Sequence, residues 1–229
     1  MSGNEMSPAI CLSIGPVEVT ETVMTTWLII LLLAGIAWGI SRQLRIEAGP
    51  AQSAAEGVIA AMEEAINAVA PGYVQQLLPF IGTLWIFLVI TNLAGLIPGM
   101  HSPTRDLSTT SALAILVFLA SHWFGIRASG LKNYLRHYLA PSPVLLPFHI
   151  ISEITRTIAL AVRLFGNIMS LEMAALLILF VAGFLAPIPI LMLHIIEALV
   201  QAYIFGILAL IYIAGGLQAQ QLRHEKREE

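Results

Sequence analysis

The chain has 229 residues, 58% of them hydrophobic and 11% charged, with a formal net charge of −3. A soluble domain carries about a quarter charged residues, so this composition excludes a soluble enzyme and describes a polytopic membrane protein, one unit over residues 1–229. No basic patch of the kind that binds nucleic acid is present, and the single cysteine, Cys11, excludes an internal disulfide.

Residues 1–22 are acidic (Glu5, Glu18, Glu21) and lack a positive n-region, so they read as an external N-terminus rather than a signal peptide. A spanning helix needs about 20 mostly apolar residues. The first candidate is 23–40, "VMTTWLIILLLAGIAWGI". Residues 51–70 follow as an amphipathic helix with Glu56, Glu63 and Glu64, expected at the membrane surface. The second span is 76–97, closed by "PGMHSPTRDLS", and the third is 109–126. A polar connection with Arg127, Lys132 and Arg136 ends in "APSPVLLP".

From Pro147 to Leu185 no strong breaker interrupts the helical pattern, Gly166 and Gly183 being mild ones. The "APIP" at 186–189 predicts a turn. A last helix over 190–217 ends in "GG" and a charged tail, 218–229. A helix of roughly 39 residues is about 58 Å long at ~1.5 Å per residue, against a hydrocarbon core of ~30 Å. It must therefore tilt steeply, break, or leave the membrane. A tilted pair of packed helices lays a long surface along a neighbour, which points to a protein partner. The expected fold is all-α: five membrane-crossing helices, N-terminal ones within 23–126 and a long, steeply tilted C-terminal helical hairpin over 147–217, plus the interfacial amphipathic helix.

Eight basic residues (Arg42, Arg45, Arg127, Lys132, Arg136, Arg223, Lys226 and Arg227) fall on one side of a five-pass arrangement and only Arg105 on the other. By the positive-inside bias this puts the C-terminus in the cytoplasm and the N-terminus outside.

Arg156 and Arg163 remain within the hydrophobic region. An arginine at the centre of a membrane helix costs at least ~2.5–3.5 kcal/mol on insertion scales, and intramembrane ionisable groups are functional candidates by default. The two lie seven residues apart and share a helix face, which Asn167 and Ser170 continue. Ala159, Gly166 and Ala174 keep that face narrow, so that another helix can approach closely. Glu172 is nine residues past Arg163, about 13 Å toward the external end. The last helix carries its own stripe, His194, Glu197, Gln201 and Phe205, at 3- and 4-residue spacings, with Gln201 expected level with Arg163. Glu153 and Tyr212 lie toward the cytoplasmic end.

A fixed arginine is a poor proton carrier and a good electrostatic barrier. Two aqueous half-pathways divided by such a cation prevent another cation from leaking straight through. Plainer readings compete for single residues: Glu153 can simply pair with Arg156, His194 with Glu197, and His122, His137 and His149 can be packing groups. Arg163 resists a plain reading, because no acid lies at i±3 or i±4. Its counter-ion must come from another helix or another chain, and no acid of the last helix lies at its depth.

At "RLFGN" (163–167), with Glu172 and "LVQAYIF" (199–205), the sequence resembles the a subunit of F-type ATP synthases. "NLAGLIPGMHSPTRDLSTTSALAI" (92–115) and "LLPFHIISEITRTIALAVRLFGN" (145–167) carry the likeness further, over roughly residues 75–217. The resemblance implies a stator against which a ring of c subunits turns, the ring's carboxylates being the missing counter-ions. It implies partnership with that c-ring, with the b-subunit stator stalk and with the rest of the complex, all in the lipid bilayer of a bacterial plasma membrane. It implies no cofactor and no catalysis by this chain itself. By it Arg163 is the essential arginine, Glu172 and His194 belong to the external half-channel, and Gln201 faces the arginine. Asn92 and Asp106 match polar positions of the hairpin before the third span and its external loop, with weaker meaning. Departures are Glu197, an acid where many members are apolar, and Thr157, where many have proline; these resemble a divergent, sodium-linked branch, leaving H⁺ and Na⁺ both open. A secondary transporter would repeat the Arg/Glu-bearing hairpin in inverted form, and the first half holds no such copy. A mere anchor would have no deep polar stripe.

Overall fold

The computed structural model describes residues 10–14, 17–42, 49–97, 100, 102–131, 134, 146–183 and 188–228. Expectations on Glu5, Arg45, Lys132, Arg136, His137, Ala186 and Pro187 lie outside these residues, as do those on the side chains of Cys11, Glu18, Arg223, Lys226 and Arg227.

Six helices account for nearly all of the described chain: α1 (Glu21–Arg42), α2 (Pro50–Val69), α3 (Val74–Ala94), α4 (Leu107–Ser129), α5 (Leu146–Ala182) and α6 (Ile188–Glu228). A 3-10 turn, Pro103–Arg105, sits between α3 and α4. All except α2 are long and apolar enough to cross a membrane, which gives the five spans of an all-α polytopic protein. One feature of the N-terminal segment escaped the sequence reading. Strands β1 (Ile10–Ile14) and β2 (Val17–Thr20) pair antiparallel just before α1, and Val17, Val19 and Thr20 are the β-branched residues that suit a strand.

The helix ends follow local chemistry. Asp106 caps α4 by accepting the Ser108 N–H at 2.9 Å, which satisfies one orphan donor of the first turn. Gly130 and Gly183, just past α4 and α5, have φ of 75° and 83°, a conformation glycine adopts without penalty. Pro189 is the second residue of α6, where its missing N–H has no helical partner to lose. The sequence reading ended the last helix at residue 217, just past Gly215–Gly216, but α6 continues to Glu228. The segment after the glycines, "LQAQQLR", is made of strong helix formers that outweigh about 1 kcal/mol per glycine.

Helix α6 packs against α3, α4 and α5, and α4 also against α5; α2 lies on α3 and α6, and α1 touches α3, the 3-10 turn and β2. The core forms where Leu77, Ile81, Trp85 and Leu88 of α3 meet Ala202, Phe205, Ala209 and Ile213 of α6, with Leu160, Leu164 and Ile168 of α5. Small residues on α6 let its neighbours close in. The tightest approach is at Gly206, where an added Cβ would fall on the Trp85 indole. That indole donates its Nε1–H to the Tyr203 carbonyl at 3.3 Å and stacks on the Tyr203 ring, centroids 6.1 Å apart. The two long helices differ sharply: half of the span in α6 is buried, against 11% in α5. One side of α5 is therefore a broad open apolar face.

Candidate functional site

Arg163 lies within one residue of the midpoint of α5. Its neighbours Leu160, Ala161 and Leu164 point into the core, and Arg163 itself is exposed on the opposite, open face, beside exposed Val162 and Ile158. Among the described residues no hydrogen bond or ion pair reaches it. Nothing within 4 Å meets a Cβ placed on Gly166, so the surface next to Arg163 is open at backbone level as well.

One turn from Arg163 toward Glu172, Asn167 Nδ2 donates to Gln201 Oε1 at 2.7 Å. This bond fixes the register of α5 against α6. It also moves an expectation: Gln201 meets Asn167, about 6 Å along the axis from Arg163, rather than lying level with the arginine. Gln201 is 1% exposed, and its Nε2 has no hydrogen-bond partner among the described residues.

Further along, fully buried Asn92 of α3 ties three elements together. Its Nδ2 donates to the Ala198 carbonyl of α6 at 3.2 Å, and its Oδ1 accepts the Thr104 hydroxyl at 2.8 Å. His194, 3% exposed, has Nε2 at 3.4 Å from the Asn92 carbonyl. Thr104 Oγ1 is 2.7 Å from Ser102 Oγ, which is 2.8 Å from the Thr91 carbonyl. Thr91 O, Ser102 Oγ, Thr104 Oγ1 and Asn92 Oδ1 are thus joined by three short contacts served by two hydroxyl protons. The file is one donor short, and it is correspondingly receptive to a cation or a water.

Beside this file stands the ion pair Arg105–Glu172, with Nη1 and Oε2 3.1 Å apart and side-chain exposures of 26% and 13%. The other carboxylate oxygen, Oε1, is buried and has no hydrogen-bond partner among the described residues. A Cβ on Gly95 would meet that Oε1 at 3.0 Å and Ser102 Cβ at 3.1 Å, so the absence of a side chain at 95 brings the carboxylate and the hydroxyl file together. Arg105 as a site residue was missed by the sequence reading, which used it only for orientation. A signal existed: it is the lone cation of its connection, at the end of the bundle that the spacing assigned to Glu172.

The remaining candidates are more loosely held. Glu197 is half-buried on α6, with no hydrogen bond or ion pair among the described residues. Asp106 is accounted for as the α4 cap. At the opposite end Glu153 approaches Arg156 at 3.9 Å, and the Arg156 guanidinium lies 5.5 Å from the Tyr212 ring. This favours the plain pairing for Glu153. His122 packs on Phe118, ring centroids 4.3 Å apart, with Nδ1 at 2.9 Å from the Phe118 carbonyl, a packing role as the plain reading had it.

The whole arrangement is a polar file through an apolar bundle. Its groups are Arg105 with Glu172, then Ser102, Thr104, Asn92 and His194, then the Gln201–Asn167 pair, one turn short of an arginine on an open face that has no partner among the described residues. Comparison with known proteins gives a match of residues 23–214 to the family described as ATP synthase A chain. The chain is 64% identical over 213 residues to "ATP synthase subunit a 1" of Hahella chejuensis, covering 93% of this chain and 91% of that protein. It is 60% identical over 216 residues to "ATP synthase subunit a 2" of Pelobacter propionicus, covering 94% and 95%. It is 56% identical over 214 residues to "ATP synthase subunit a" of Legionella pneumophila, covering 93% of each.

Proposed function

The chain belongs to the ATP synthase A chain family, and from that premise we propose how it works as the ion-translocating, non-catalytic stator of the membrane sector. It is an integral, multi-pass membrane protein. In the proposed mechanism, H⁺ or Na⁺ enters on the outer side of a bacterial plasma membrane at Glu172 and follows the file past Asn92 and His194 toward Gln201 and Asn167. It then passes to a carboxylate of a rotating c-ring seated on the open face of α5. Arg163 forms a transient pair with each ring carboxylate in turn, strips its cation toward the cytoplasmic side, and bars direct passage. Glu153 and Tyr212 line the cytoplasmic exit, and a b-subunit stalk holds the chain static.

The observation that carries this reading is Arg163 itself, exposed at mid-helix on an apolar face with no partner among the described residues. A permanent charge is expensive at that depth, and a carboxylate on a second chain is the counter-ion that offsets the expense. Each ion crossing contributes ~2.3 kcal/mol per 100 mV of membrane potential, which rotation delivers to ATP synthesis elsewhere in the complex. The α5 length of 37 residues, about 55 Å, supports a helix tilted along the ring rather than one crossing upright.

The test uses inverted membrane vesicles carrying the assembled complex, with ATP-driven acidification and radioactive sodium uptake followed together. Arg163→Ala abolishes the coupled flux while leaving the complex assembled. Sodium uptake that survives a protonophore but not the mutation assigns the ion as Na⁺. A normal coupled flux in Arg163→Ala refutes the barrier.

A further inference from the structure

Resting on that reading, we infer that Arg105 is a tethered counter-cation that entering ions must displace at Glu172, and that it sets how readily the pathway fills. The geometry is that of a half-used carboxylate. Arg105 Nη1 holds Oε2 at 3.1 Å while Oε1 is buried and unpartnered. Arg105 takes only one of the two carboxylate oxygens, where a bidentate pair would take both. Leaving one anionic oxygen without a donor is among the costlier arrangements in a folded chain. Here that oxygen faces Gly95 and Ser102, at the start of the hydroxyl file that is one donor short. A small cation arriving at Oε1 finds a carboxylate oxygen beside Gly95 and Ser102, and it finds a fixed positive charge on the other oxygen of the same group. The guanidinium and the ion compete for one negative charge.

The pair keeps part of its surface exposed on the Arg105 side, 26% against 13% for Glu172, while Oε1 itself is buried. Arg105 ends a three-residue 3-10 turn rather than a membrane span, so displacing its side chain requires no movement of a spanning helix. The other charged or titratable groups at this end of the elements that pack here are Glu21 in the first turn of α1, Asp106 on the connection, and His194 and Glu197 on α6, with His101 of the same connection outside the described residues; α4 carries His122 and Arg127, and α5 carries His149, Glu153, Arg156 and Arg163, farther along, and α3 has none.

Competition predicts a change in half-saturation, and fastening alone predicts a change in rate. The reconstituted complex makes ATP under an imposed membrane potential, with sodium chloride titrated at fixed pH and pH titrated without sodium. For the cation that drives the wild type, Arg105→Gln lowers the half-saturating concentration at least fivefold. Arg105→Lys, a looser competitor, lowers it about threefold. A slower maximal rate with unchanged half-saturation in Arg105→Gln overturns the inference and leaves the pair as a fastening. If Arg105→Gln yields too little complex to assay, the lysine variant decides, and no shift in it overturns the inference equally. Arg163→Ala in parallel vesicles separates the two levels. Coupled flux surviving there defeats the proposed function, whereas abolished flux with no Arg105 shift defeats only this inference.

Discussion

Asn92→Leu and Thr104→Val, made singly and together, test whether the buried polar file is a set of real couplings. Asn92 accepts the Thr104 hydroxyl at 2.8 Å and donates to the Ala198 carbonyl at 3.2 Å, with all three residues fully buried. Leucine keeps the volume and removes both bonds. The loss at Ala198 is small, because that carbonyl lies inside α6 and keeps its helical partner. The Thr104 hydroxyl loses its Asn92 acceptor and is left with Ser102 Oγ, 2.7 Å away. Interhelical hydrogen bonds in membranes contribute about 0.6 kcal/mol on average and at most about 1.7, so Asn92→Leu destabilises by about 1–2 kcal/mol and Thr104→Val by about 1. Their shared bond makes the double variant less destabilised than the sum, with a coupling of about 0.5–1.5 kcal/mol. The assay is release of the chain from the purified complex in detergent micelles titrated with sodium dodecyl sulfate, the midpoint giving each free-energy change. Additivity within about 0.3 kcal/mol would refute the 2.8 Å bond as an energetic link and, with it, the continuity of the file at Asn92.

Gly206→Ala forces a methyl against the Trp85 indole and overpacks the α3–α6 contact by about 1–3 kcal/mol; the yield of assembled complex falls. Gly216→Ala on the same helix meets nothing within 4 Å and leaves the yield unchanged or higher, so equal losses in the two variants would contradict the close approach at 206. Asp106→Ala removes the α4 cap and lowers stability by about 0.5–2 kcal/mol with no change in the half-saturating cation concentration; Asp106→Ser restores the stability. A shifted half-saturation in Asp106→Ala would move Asp106 from the cap into the pathway.

The five spans and the long hairpin were legible because each rests on local patterns: apolar runs, prolines, and the arithmetic of rise per residue; the end of α6 was not, since its polar continuation past 217 lies outside the apolar run. The chemical character of the site was legible too, since Arg163, Asn167 and Glu172 on α5 and His194 and Gln201 on α6 stand out against apolar neighbours whatever they touch. The sequence also determined that Arg163 has no acid within its own helical reach. It could not determine partners across helices. Asn167 with Gln201, Asn92 with Ala198, and Glu172 with Arg105 lie 34, 106 and 67 residues apart, and they depend on how each helix is rotated and slid against the next. Hydropathy does not encode that rotation in a membrane, because lipid tails are as apolar as a protein core. Helices α1 and α6 are almost equally apolar, yet 6% of one span and 50% of the other is buried. Only the tertiary structure decided that α5 turns Leu160, Leu164 and Ile168 inward and leaves Arg163 facing out, and that the second oxygen of Glu172 is left without a partner.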